Sequence, residues 1–205
     1  QLIISSGTEY LFYIIFKLFN NKIYGLENPC HKMFKELFLT NDISFKAISL
    51  DESGIMIEDL KKYNVNIAYV TPSHQFPTGT IMSISRRTEL LNWANETPNC
   101  YIVEDDYDSE FKYTGRPIPA LKASDINDKV IYLGSFSKSI SPAIRVSYLV
   151  LPKALLNIYQ KKLPYFICPV PTLNQKILYR FIKDGYFVKH INKMRTLYKK
   201  KREYL

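Results

Sequence analysis

Short apolar runs alternate along the chain with longer segments whose hydrophobic positions recur every three or four residues. Runs of strand length fall at residues 2–5, 43–49, 66–70, 100–103, 130–133 and 146–151. Helical periodicity falls near 8–19, 29–37, 57–63 and 83–95. This alternation predicts an α/β protein on a mostly parallel sheet. Several strand candidates are apolar at consecutive positions, as strands covered by helices on both faces must be, so a three-layer α-β-α arrangement is expected. Two more helical segments, 171–183 and 186–204, follow with no strand after them. They read as linking helices (164–205) leaving a sheet domain (1–163) toward a second, smaller domain outside this chain. No internal repeat or low-complexity stretch interrupts the pattern.

The composition of the 205 residues, 46% hydrophobic and 23% charged, is that of a folded globular protein and excludes a largely disordered chain. No apolar run reaches membrane-spanning length. The opening Gln1–Ser6 has no basic region and no long apolar core, so it does not read as a signal peptide. It starts without methionine on an apolar run, as a piece of a longer protein does. Cys30, Cys100 and Cys168 have neither metal-ligand nor disulfide spacing, which fits a cytoplasmic setting. The net charge of +9 raises the question of nucleic acid. Much of the excess, however, lies on Lys189, Lys193, Arg195 and 199–202, interleaved with Phe187, Ile191, Met194 and Leu197. That spacing makes one solvated face of an amphipathic helix.

Four motifs fall at predicted strand ends, where open α/β sheets place their ligands. Ser135-Phe136-Ser137-Lys138 follows the strand at 130–133, with Arg145 seven residues on. A lysine there loses hydration and becomes a nucleophile toward carbonyls, while hydroxyls and a guanidinium suit a phosphate. Glu104-Asp105-Asp106-Tyr107-Asp108 closes another strand. Neighbouring carboxylates call for a cationic partner, either a protonated ring nitrogen or a metal ion, though no P-loop or EF-hand spacing supports a metal. Ser5-Ser6-Gly7-Thr8 leaves free N–H groups at a helix start, a setting for an anion or for simple capping. Thr71 to Gly79, with two prolines and a glycine, is a rigid loop. Within it His74 reads as a structural hydrogen-bonding residue.

The blocks TPSHQFPTG, EDDYDSEFKYTGRPIPAL and YLGSFSKSISPAIR resemble the fold-type I pyridoxal-phosphate (PLP) proteins, and within them the aminotransferase-like domain of MocR-type regulators of the GntR family. The resemblance extends to the closing helices and implies an aminotransferase large domain and PLP as cofactor. It implies Lys138 as the Schiff-base lysine, Asp105 as partner of the pyridine nitrogen and Tyr107 as partner of the ring hydroxyl. Ser135, Ser137, Arg145, Gly7 and Thr8 would hold the phosphate. His31 stands where the family usually has an aromatic residue stacked on the ring. Phe76 replaces the asparagine of many aminotransferases, as in MocR-type members, and Ser147 stands where glycine is common.

The implied function is an effector domain binding an amino compound through the PLP aldimine. The implied setting is a homodimeric cytoplasmic regulator that reaches DNA only through an N-terminal winged-helix domain outside this chain, with no membrane. A free-standing aminotransferase acting on an amino acid or amine is the alternative, with Lys138 moving the α-proton.

Overall fold

The structure, a computed structural model, describes residues 2–111 and 118–204. Residues 112–117, inside the second block above, therefore lie outside the description.

Among the described residues eight strands form one sheet: β1 (Leu2–Ser5), β2 (Tyr24–Asn28), β3 (Phe45–Asp51), β4 (Gly54–Ile55), β5 (Ile67–Val70), β6 (Tyr101–Asp106), β7 (Val130–Ser135) and β8 (Ser147–Val150). Their order is β1-β8-β7-β6-β5-β2-β3-β4. The stretch from β7 to β3 is parallel throughout, whereas β8 runs antiparallel to both β7 and β1, and β4 turns back on β3. The helices are α1 (Thr8–Leu18), α2 (Lys32–Thr40), α3 (Ile57–Lys62), α4 (Ile84–Glu96), the single turn α5 (Phe136–Ser139), α6 (Lys153–Lys162), α7 (Thr172–Lys183) and α8 (Tyr186–Tyr204).

Strand alternation divides the interior into two cores. Ile67, Tyr69, Val103, Ile131 and Leu133 face α1, α2 and α6. Ala68, Val70, Ile102 and Val130 face α3 and α4. The three-layer expectation therefore holds. Helix α1 is apolar around most of its circumference because it lies between the sheet, α2 and α6, and Leu11, Phe12, Ile14 and Ile15 are wholly buried. Lys162 at the end of α6 donates its ammonium to the carbonyls of Lys17 and Leu18, satisfying the open C-terminus of α1.

The returns into β2, β3, β5, β6 and β7 each contain a left-handed Asn or Asp: Asn21, Asp42, Asn64, Asn99 and Asp128. These short side chains tolerate that conformation better than other L-residues. Helix α2 starts three residues later than its sequence pattern predicts, because Pro29 and Cys30 are not helical and an extended His31 forms its cap. Strands β2 and β4 and helix α6 are absent from the sequence reading above. In β2 the residues Tyr-Gly-Leu-Glu-Asn offer only two large apolar side chains, and Gly25 is required by packing: a Cβ there would crowd Leu60, Ile48 and Val65.

Helices α7 and α8 fold back on the rest of the chain. Val170 and Leu178 share a small core with Val146, and Phe136 packs against it. Arg195 of α8 donates to the carbonyl of Glu110, so the basic face is not purely solvated.

Candidate functional site

A cleft of about 320 Å³ opens at the carboxyl ends of the parallel strands. Its lining includes Lys138, Asp105, Tyr107, Ser135, Ser137, Arg145, Thr8 and His31, eight of the nine residues singled out above. Gly7, the ninth, lies directly beneath the Arg145 guanidinium: a Cβ at Gly7 would overlap that group, and the backbone there has φ 94°. Both facts call for glycine.

Lys138 is carried on α5. Ser135, the last residue of β7, caps this turn by accepting the Ser137 N–H at 3.2 Å. Ser147, opposite it in the antiparallel ladder, donates to the same Ser135 oxygen at 3.1 Å. With two donors already on its oxygen, Ser135 retains its own O–H for a ligand. Ser147 is thus more than a replacement for glycine. Ser5, opposite Ser147 on β1, is fully buried with no partner for its hydroxyl. The Arg145 backbone is left-handed at φ 46°, uncommon for arginine, and directs the guanidinium over the start of α1. There Nη2 lies 3.0 Å from Glu9 Oε2.

The acidic run at the end of β6 is split by alternation. Glu104 faces the α4 side and accepts the backbone N–H groups of Leu121 and Lys122 at 2.7 and 2.9 Å. Asp106 accepts the hydroxyls of Tyr132 and Ser109, each at 2.7 Å. Asp105 continues the α1 face and accepts the Tyr69 O–H at 2.7 Å. Burial, reinforced by the charges of Asp106 and Asp108 and opposed by Tyr69, pushes the Asp105 carboxyl up to about 6. Among the described residues no cluster of His, Cys, Asp or Glu is placed to hold a metal ion. A buried carboxylate whose charged neighbours are other carboxylates fits a cation brought by a ligand, and a protonated pyridine nitrogen is such a cation. The residues present fit PLP.

The wall opposite is built by the loop after β5. Tyr107 donates to the His74 carbonyl at 2.6 Å, and His74 Nδ1 lies 2.9 Å from Asp108. His74 is therefore held by structural bonds, as its place in a rigid loop leads one to expect. His31 accepts the Met33 N–H through Nδ1, and its ring centroid is 5.1 Å from that of Phe76. Sequence reasoning missed Glu9, Glu27 and Tyr69. Glu27 lines the cleft from β2 and accepts the Thr71 hydroxyl at 2.6 Å. Burial raises its carboxyl to about 7 against the bonds from Thr71 and Gln75. Its strand was not legible, so neither was its position. Tyr69 looked like one more apolar position of β5, although strand alternation puts it on the face shared by Asp105.

The family model for aminotransferase class I and II matches residues 1–205. The chain belongs to the class I and II aminotransferase family. Two family members with regulatory names are close in sequence. The uncharacterized HTH-type transcriptional regulator YdeL of Bacillus subtilis is 44% identical over 98% of this chain and 44% of its own length. The probable rhizopine catabolism regulatory protein MocR of Rhizobium meliloti is 32% identical over 97% of this chain and 40% of its own. The chain thus spans less than half the length of these relatives. A crystal structure of kynurenine aminotransferase from Pyrococcus horikoshii, in complex with PMP, superposes with a TM-score of 0.87. It is 31% identical and covers 99% of this chain and 53% of the other. An aminotransferase fold and a family relationship to PLP chemistry follow. Among the described residues no helix is long and apolar enough to cross a membrane.

Proposed function

We propose that this chain is the PLP-binding, effector-sensing core of a MocR-type regulator, with Lys138 carrying the cofactor covalently through its amine. The observation that carries this reading is the convergence of Asp105 at the end of β6, the Ser135–Lys138 turn after β7 and Arg145 on one cleft. Bound there, PLP supplies an electrophilic carbon at which amines exchange and an electron-withdrawing ring. Asp105 would hold the ring nitrogen, its charge stabilised by a proton on that nitrogen. Tyr107, Tyr69, His31 and Phe76 line the same cleft and would bound the space for the ring. Ser135, Ser137, Arg145 and the helix start at Gly7–Thr8 would hold the phosphate, since a helix start and a guanidinium both favour an anion. In this reading the effector is an amino compound, which would compete with the Lys138 amine for the cofactor. The rearrangement would alter how a winged-helix domain and the second copy of a homodimer are held.

The full chain titrated with PLP is expected to gain a visible absorption band that Lys138→Ala abolishes. Borohydride reduction is expected to leave a pyridoxyl adduct on Lys138, and its absence would end this reading. The 31% identity to kynurenine aminotransferase keeps an enzymatic alternative in view. Steady release of a keto product from added amines would favour that alternative, whereas a spectral change without turnover favours the sensor.

A further inference from the structure

The anion end of the cleft already contains an anion belonging to the chain itself. Glu9, in the first turn of α1, places Oε2 at 3.0 Å from Arg145 Nη2, and both side chains line the cleft. The two converge over Gly7, because a side chain there would meet the guanidinium first and the Glu9 carboxylate next. Gly7 caps α1 without a side-chain acceptor, so the N–H groups of the first turn are not satisfied by their own cap. A carboxylate in that turn is favoured by the helix dipole. It therefore shares with a phosphate both the helix start and the arginine.

We propose that Glu9 is the affinity-setting residue of the phosphate subsite, an internal carboxylate that an incoming phosphomonoester must displace from Arg145. The proposal rests on the assignment of that end of the cleft to the cofactor phosphate. Its consequence is selective weakening. A phosphate dianion loses part of the Arg145 interaction and meets a like charge, whereas a ligand without the phosphate meets neither penalty. The Arg145 and Glu9 side chains are 51% and 39% exposed, so solvent screens the pair and the effect is moderate. Such a residue keeps cofactor occupancy responsive to cofactor concentration.

The test compares PLP with pyridoxal, which has the aldehyde and ring but no phosphate. Dissociation constants are measured in the full chain from the Lys138-dependent absorption band, for the parent, Glu9→Gln and Glu9→Ala. PLP is expected to bind both variants about three- to tenfold more tightly than the parent, with pyridoxal unchanged. High salt is expected to narrow the difference between parent and variants. Unchanged or weaker PLP binding in both variants overturns the proposal, as does an equal gain for pyridoxal. A parent that binds PLP normally while the variants show no selective gain leaves the cofactor assignment standing and removes only the role of Glu9. Absence of any Lys138-dependent band in all three chains overturns both.

Discussion

Asp105 shows how a single side chain can be arranged for a ligand at the expense of stability. Its carboxyl is raised to about 6, first by burial, and Glu27 and Glu104 are each raised to about 7 for the same reason. A carboxyl whose folded-state pKa lies above its unfolded value binds its proton more tightly when folded. Its contribution to stability is therefore fully present below about pH 4 and is lost as pH rises through 6 to 7. Without cofactor, the protein is expected to melt at a higher temperature at pH 5 than at pH 8. Asp105→Asn keeps an acceptor for Tyr69 and removes one buried charge. At pH 8 it is expected to stabilise the cofactor-free protein by on the order of 1–2 kcal/mol. The same change is expected to weaken PLP about tenfold or more, because the ring nitrogen loses its ionic partner. Thermal melts and PLP titrations on the same samples check both. A variant less stable than its parent at pH 8 would show that the carboxylate is not strained in this site.

At the scale of elements, the loop between β5 and α4 is organised by one side chain. Gln75 is 3% exposed. Its amide N–H groups donate to the carbonyls of Pro29 and Phe76, each at 2.8 Å, and its oxygen accepts the Thr78 N–H and hydroxyl at 3.0 and 2.6 Å. It thereby ties the segment after β2, which carries Cys30 and His31, to the loop that carries His74 and Phe76. Gln75→Ala removes the partner of the Pro29 and Phe76 carbonyls and of the Thr78 N–H and hydroxyl, all in part-buried bonds, and is expected to cost about 1–2 kcal/mol. Urea unfolding measures the cost, and a loss below about 0.5 kcal/mol would mean that water replaces the amide. None of this was legible in the sequence, where the loop reads only as two prolines and a glycine. Strand ends, by contrast, were legible from apolar runs, and so was the edge to which Lys138, Asp105 and Thr8 belong. What escaped was whatever depends on pairing across the sheet. The partners of Tyr69 and Ser147 lie on neighbouring strands and those of Glu27 in the loop that leaves one, and no local spacing encodes them. Glu9 escaped for the same reason, since Arg145 is 136 positions away.

For the whole molecule, the decisive feature is a single sheet serving two separate cores. The three layers followed from strands that are apolar at consecutive positions. The antiparallel placement of β8, however, has no counterpart in its own residues. On one side of the sheet, Phe12 contacts Phe16, Phe34, Phe38 and Tyr69 with ring centroids 5.2–5.9 Å apart. On the other side, Trp93, the single tryptophan, is buried on α4 among Leu90, Ile102 and Val130. Residues 67–70 contribute alternately to both cores, so neither core retains its wall when the other is lost. Phe12→Ala opens a cavity on the α1 side and is expected to cost about 3–5 kcal/mol. Because the sheet is shared, unfolding is expected to be one transition. Trp93 fluorescence, which reports the opposite core, should then shift its denaturation midpoint as far as far-UV circular dichroism does. A fluorescence midpoint that stays at the parent value while the dichroism midpoint falls would show two cores unfolding independently. The site at their common strand ends would in that case rest on the weaker one, since Asp105 and Tyr69 both belong to the α1 face.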